Sequence, residues 1–420
     1  MNQFPFTDDT VIAGLLALCL GFVFYTSALQ SRIWKKFYTI VPTVLMCYLL
    51  PAILASTGVV SEKDSNLYFV ASRYLLPAAL ILMTLSIDIK AIMNLGSKAL
   101  IMFFTGTAGI IIGGPLAILI VSIFSPETVG GAGFDAVWRG LSTIAGSWIG
   151  GGANQAAMLE VFQYNPEKYG GMVLIDIVVA NIWMALILLG VGKTDRIDKW
   201  LRSDTSSIEE LKHKVSEHTA KIARVTTLPD FVMLFFFAFA GVGLAHFLGG
   251  QFADFLEANF EVIRNKEKVL SSLGSKFLWM VVFATAFGIG LSFTKAKNYE
   301  GAGASKIGGL FIYVLVATIG MKMDLGRVLE NPGLIAIGLI WIAIHAGLLI
   351  LVAKLIKAPY FFLAVGSQAN VGGAASAPVV AAEFHPSLTS VGILLAVFGY
   401  VVGTAGAYLC ALLMEVASNI

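Results

Sequence analysis

The chain has 420 residues, 57% of them hydrophobic and only 13% charged, with a mean hydropathy of +0.83. Soluble domains carry roughly twice that charged fraction, and a net charge of +2 with no basic tract excludes a nucleic-acid partner. Cys19, Cys47 and Cys410 lie in separate apolar runs without metal-ligand spacing and read as small hydrophobes.

A spanning helix takes about 20 mostly apolar residues, because each backbone N–H and C=O must be paired inside the hydrocarbon. Such runs lie near 10–29, 38–58, 67–87, 99–124, 137–162 and 171–192, and again near 230–249, 274–293, 307–324, 333–353, 359–383 and 388–414. They predict an all-α polytopic protein of about 11–13 transmembrane helices, multi-pass in the inner (cytoplasmic) membrane. Ahead of the first run, Asp8 and Asp9 stand without a cation, so the basic region of a signal peptide is missing and the run reads as a retained span.

This layout gives a first membrane repeat over 1–192, a polar linker over 193–229 and a second repeat over 230–420. In the linker, Ser206 and Glu209 fit a capping box, and Ile208, Leu211, Val215, Ile222 and Val225 follow a/d spacing with His218 completing the seam. Two readings stay open: a short coiled-coil contact in a homodimer, or a solvated connector on the membrane surface.

Two matched features carry the repeat. Gly146-Ser147-Trp148-Ile149-Gly150-Gly151-Gly152-Ala153-Asn154-Gln155 in the fifth run resembles Gly366-Ser367-Gln368-Ala369-Asn370-Val371-Gly372-Gly373-Ala374-Ala375-Ser376 in the eleventh. Upstream, Asp88 and Asp324 close the third and ninth runs in similar contexts. Six runs separate the matching positions, and an even number gives a parallel repeat. The basic clusters Arg32/Lys35/Lys36, Lys90/Lys98, Lys295/Lys297/Lys306 and Lys354/Lys357 all prefer the cytoplasm, which requires the parity to change once between the halves. One run is therefore expected to be miscounted or interrupted, and an inverted repeat is preferred.

The glycine-rich segments are the chemical signal. Glycine costs about 1 kcal/mol against alanine inside a helix, so Gly150, Gly151 and Gly152, like Gly372 and Gly373 near Pro378, invite an unwound break. Free carbonyls at such a break suit Na⁺, and a half-helix N-terminus suits an anionic group. Ser147, Asn154, Gln155, Ser367, Gln368, Asn370 and Ser376 stand alongside as neutral donors and acceptors. Asn154, Gln155, Asn370 and Ser376 are the candidate Na⁺ ligands. The competing reading is close helix packing through small residues, with the amides as interhelical glue.

Ionisable residues within the runs are few, and each is a functional candidate. Asp176 with Asn181 could complete a cation site, with Tyr400 and Thr404 in the matching region of the twelfth run; alternatively Asp176 is solvated at the interface. Glu160 and Glu383 close the two glycine-rich runs as gating or proton-carrying candidates, or as wet helix ends. His246 and His345 read as structural, and Arg73 and Arg139 as snorkelling. No HExxH, GxSxG, Walker loop or paired intramembrane aspartate occurs, so neither an enzyme nor an ATP-driven pump is expected, and no cofactor beyond a coupling Na⁺.

At the two Gly-Ser segments the chain resembles the YjcL-like family of integral membrane proteins, a domain of unknown function, over nearly its full length. That family looks distantly similar to cation/proton antiporters and bile-acid-type sodium symporters. The resemblance implies a core domain with two crossing, interrupted helices, here the fifth and eleventh runs, and a panel domain used for dimerisation. Such antiporters place acidic residues at the crossing, whereas this chain has Asn154, Gln155 and Asn370 there. The sequence thus points to a Na⁺-coupled secondary transporter of a small organic solute, anions among the candidates. The alternatives are a cation/proton antiporter and a non-transporting membrane receptor or assembly factor.

Overall fold

The computed structural model describes residues 5–61, 65–204, 208, 226–264, 269–327, 331–385 and 388–420. The seam read over 206–225 lies outside them, Ile208 excepted. Helix α1 (Asp9–Ala28) begins where the Asp8 carboxylate accepts from the Thr10 and Val11 amides, at 2.8 and 3.2 Å. The Thr10 hydroxyl also bonds Asp8, and these bonds hold the Asp8 carboxyl below its ordinary range. The amphipathic α2 (Arg32–Ile40) meets α3 (Thr43–Ser56) at 89°. Next, α4 (Leu67–Leu85) contains a π turn at Ala71–Leu75 just ahead of Pro77. Proline has no N–H to give the preceding turn, and the wider turn absorbs the mismatch.

The remaining long helices are α5 (Ser97–Phe124), α6 (Val137–Phe162), α7 (Tyr169–Val191), α8 (Leu228–Asn259), α9 (Lys276–Ser292), α10 (Ala304–Gly320), α11 (Gly333–Leu355), α12 (Tyr360–Val371), α13 (Gly373–Phe384) and α14 (Thr389–Ser418). By length and composition, seven helices among the described residues can cross a membrane, or nine if each bent pair is one span, and α10 is a shorter apolar helix. The most apolar stretches of α1 and α8 are only 28% buried, exposing Leu18, Phe22, Phe235 and Phe236. Aromatic and aliphatic side chains left outside on this scale are a lipid-facing surface.

The expected crossing helices of the fifth and eleventh runs are hairpins instead. At Gly151 the backbone takes φ 72 and ψ −173, a conformation that is essentially glycine's alone, and α6 folds back. Its two ends come together. The Arg139 guanidinium donates to the Phe162 carbonyl at 2.6 Å, the Asn165 amide to the Phe134 carbonyl at 2.9 Å, and Lys168 pairs with Asp135 at 3.0 Å. The second hairpin turns at Gly372 and Gly373, the latter at φ 55. Tyr360 and Phe361, at the start of α12, pack tilted and edge-on against Phe384 at the end of α13, with ring centroids 5.8 and 5.3 Å apart.

The hairpins open at opposite ends of the molecule. The first opens beside the start of α7, which follows it directly in the chain. At the other mouth, the Tyr360 hydroxyl donates to the Ile187 carbonyl and its amide to Asp198, both near the far end of α7. With 23 residues at 1.5 Å each, α7 separates the two mouths by about 34 Å. Around the hairpins stand α5, α7, α11 and α14, while α1, α3, α4, α8, α9 and α10 pack mainly on one another. Helices from the two chain halves interleave in both groups, α4 against α10 and α5 against α11.

Candidate functional site

The tips of both hairpins reach α14. A side chain at Gly399 would lie 2.8 Å from the Ile149 carbonyl of the first hairpin and 3.5 Å from the Ala369 carbonyl of the second. One turn on, Gly403 abuts Gly150 closely enough that a Cβ would come within 2.6 Å of its Cα. Absent side chains on α14 thus let two unwound backbones approach one helix at the centre of the fold.

Asp176 braces the first tip. It is 7% exposed, and its carboxylate accepts from the Trp148 indole at 2.7 Å and the Gln155 amide at 3.0 Å. Trp148 precedes the break and Gln155 follows it, so one carboxylate of α7 ties both arms. Ser147 also bonds to this carboxylate, and none of the groups that reach it is positively charged. Asn181 does not join them: it is exposed, and its amide turns back to the Ile177 carbonyl.

The second tip closes on itself. The Ser376 hydroxyl of α13 donates to the Gln368 side-chain oxygen of α12 at 2.7 Å. Gln368 is 1% exposed and its Nε2 donor has no partner among the described residues. A Cβ on Gly372 would sit 2.8 Å from the same Gln368 oxygen, so the amide lies over the first turn of α13. Ser367 faces elsewhere. It accepts from the Trp183 indole at 2.7 Å and meets the His345 Nε2 at 2.8 Å, while the His345 Nδ1 lies 3.0 Å from the Gly106 carbonyl. A carbonyl only accepts, so in a neutral ring Nδ1 donates and Nε2 accepts from Ser367.

Asn154 and Asn370 are fully buried braces. Asn154 accepts from the Thr404 hydroxyl of α14 at 2.6 Å and donates across the break to the Gly150 carbonyl at 2.8 Å. Asn370 accepts from the Thr107 hydroxyl of α5 at 2.8 Å and donates to the carbonyls of Gly366, at 2.9 Å, and Phe103, at 3.0 Å. Each holds a helix beside a break, where the regular ladder is lost, against a threonine on a neighbouring helix.

The two terminal carboxylates part company. Glu383 is exposed at the mouth of the second hairpin. Glu160 is held by α4: it accepts from the Tyr68 hydroxyl and pairs with Arg73 at 2.6 Å. The Arg73 guanidinium also lies 4.4 Å from the Phe277 ring centre, and the Lys322 ammonium 4.0 Å from that of Tyr68. His246 meets the Arg73 carbonyl at 2.8 Å. Tyr68, Thr107, Trp148 and Trp183 carry no sequence signal of their own, since their partners are far along the chain.

Comparison with known proteins agrees with the fold. The family described as "Protein of unknown function (DUF819)" matches residues 14–416. The "Uncharacterized membrane protein YjcL" of Bacillus subtilis (strain 168) is 24% identical over 351 residues, 81% of this chain and 82% of that protein. The match runs from α1 to α14 and takes in both hairpins: the chain belongs to the DUF819 family of integral, multi-pass membrane proteins.

Proposed function

We propose that the protein is a secondary transporter that moves a small solute coupled to a cation, by alternating access to the tips of the two hairpins. The observation that carries this reading is the meeting of two broken helices, entered from opposite ends of α7, against Gly399 and Gly403 of α14. Irregular backbone at membrane depth is tolerated only inside protein or against a watery cavity, and broken helices of this kind form ion and substrate sites. With each bent pair and the shorter α10 counted as crossings, the described residues have five crossings and one hairpin in each half, the parity change that the basic clusters require. This supports an inverted repeat and an inner membrane whose cytoplasmic face carries Arg32, Lys98, Lys297 and Lys354.

The coupling cation, Na⁺ in this reading, balances Asp176. A buried carboxylate met only by neutral donors is an uncompensated charge in a low-dielectric interior. Bound Na⁺ would draw on its oxygens while leaving Trp148 and Gln155 in place. This reading puts the cation on the charged Asp176 ahead of the neutral amides of Asn154 and Asn370, whose oxygens each accept from a threonine.

Thiol accessibility tests the reading without knowledge of the solute. Gly152 has room for a side chain, its nearest neighbour atom being 3.6 Å from the added Cβ. In a background with Cys19, Cys47 and Cys410 replaced by alanine, Gly152→Cys is expected to react with an impermeant maleimide from either side of oriented vesicles. NaCl in place of choline chloride should shift the ratio between sides, and Asp176→Asn should remove that shift. Labelling from one side alone under every condition would refute alternating access. A ratio set by pH and indifferent to Na⁺ would replace Na⁺ with the proton.

A further inference from the structure

The second hairpin holds a donor that nothing among the described residues uses. Gln368 is 1% exposed, its oxygen is taken by Ser376, and its Nε2 is without a partner among the described residues. A buried polar group left unmade is costly, and such groups in native proteins cluster where a ligand completes them. The same amide lies over the start of α13, a helix of 12 residues whose N-terminus receives no side-chain cap. The first N–H groups of that helix lack intrahelical acceptors and carry the positive end of its dipole. Ala374 and Ala375, in this first turn, are exposed, so the surface beside the donors is open.

Resting on the transporter reading above, we infer that the second hairpin binds the transported solute through a carboxylate. One carboxylate oxygen accepts from the Gln368 Nε2 and the other from the backbone N–H groups of the first turn of α13. The division of labour follows from chemistry. The first tip presents an unbalanced negative charge in Asp176 and takes the cation. The second presents donors and no negative side chain at its turn, and takes the anion. In the present conformation the Gln368 amide is shielded, and rotation about Gly373, at φ 55, swings α13 to admit the solute.

The test uses full-length protein in detergent, with thermal unfolding followed in the choline salts of acetate, lactate, succinate, citrate and benzoate against choline chloride. At least one carboxylate is expected to raise the unfolding temperature of the wild type. Gln368→Met should weaken its apparent affinity tenfold or more, about the worth of a hydrogen bond to a charged group. The same variant without ligand should unfold no lower than wild type, which a merely structural glutamine would not allow. Gln368→Glu, which removes the donor and adds like charge, should abolish the shift. No shift with any of the carboxylates, or an undiminished shift in Gln368→Glu, overturns the proposal. Two-sided labelling of Gly152→Cys with no carboxylate response would sink this inference and leave alternating access standing; one-sided labelling would sink both.

Discussion

Each hairpin turns at glycine, yet the groups that bridge the two turns differ in kind. Across the first break, Trp148 and Gln155 are joined through the Asp176 carboxylate of a neighbouring helix. Across the second, Gln368 and Ser376 bond each other and leave one donor over. The first tip therefore adds to its own Asn154–Gly150 bond a hold by a charge outside itself, and anything that changes the charge state of α7 changes the tip. The second is held by its own neutral side chains and is tied to α5 and α11 through Asn370, Ser367 and His345. One arm of the first hairpin is further fastened to α4 through Glu160, whereas the matching carboxylate, Glu383, is exposed.

Removing the external charge should give the largest effect. Asp176→Ala leaves the Trp148 and Gln155 donors without an acceptor, at about 1–3 kcal/mol each. A loss of about 3 kcal/mol in the unfolding free energy of the purified protein is the expected result, and a loss under about 1 kcal/mol would show that the first tip is not held this way. The asparagine braces come next. Asn370→Ala severs three bonds and Asn154→Ala two, so costs of about 2 and 1 kcal/mol are expected in that order. A reversed order would mean that the contact with α14 outweighs that with α5. Double-mutant cycles with Thr107→Val and Thr404→Val measure each pair, with couplings of about 0.6–1.7 kcal/mol expected for hydrogen bonds between membrane helices.

Glu160→Gln should cost still less, about 0.5–1 kcal/mol, because the Arg73 side chain is 29% exposed and solvent screens the pair. Its sharper readout is conformational. With the fastening to α4 weakened, labelling of Gly152→Cys should increase from the side on which the first hairpin opens. Unchanged labelling would make the ion pair a static contact. The smallest effect is expected for Gln368→Met, whose unfolding free energy should lie within about 0.5 kcal/mol of wild type or above it. A clear loss there would erase the contrast between the two tips.

Much of the fold is legible in the sequence. The apolar runs give the helices, and Gly150–Gly152 and Gly372–Gly373 fall on the two turns. The reversal is not legible, since residues 137–162 are long enough for a single span and glycine permits the conformation at Gly151 without demanding it. The conflict between span parity and the basic clusters was the trace it left. The site was harder to read. Asn154 and Asn370 have the chemistry of ligands, and their threonine partners, 250 and 263 residues away, add a bracing role that the sequence does not announce. Glu160 likewise meets Arg73 across 87 residues, a pairing no local pattern announces. Asp176 stood out because a carboxylate in an apolar run is rare whatever its neighbours.

The first hairpin also sets a timetable for biosynthesis. Its arms, 137–150 and 152–162, are each shorter than the about 20 residues a span requires, so neither can settle in the bilayer unaided. The helix that receives its tip is α14, which leaves the ribosome after all the other helices described, and Thr404 on that helix completes the bonds of Asn154. Throughout most of translation the nascent chain must therefore shelter an unfinished polar loop, and a stop codon ahead of α14 would disable a structure already built some 250 residues earlier.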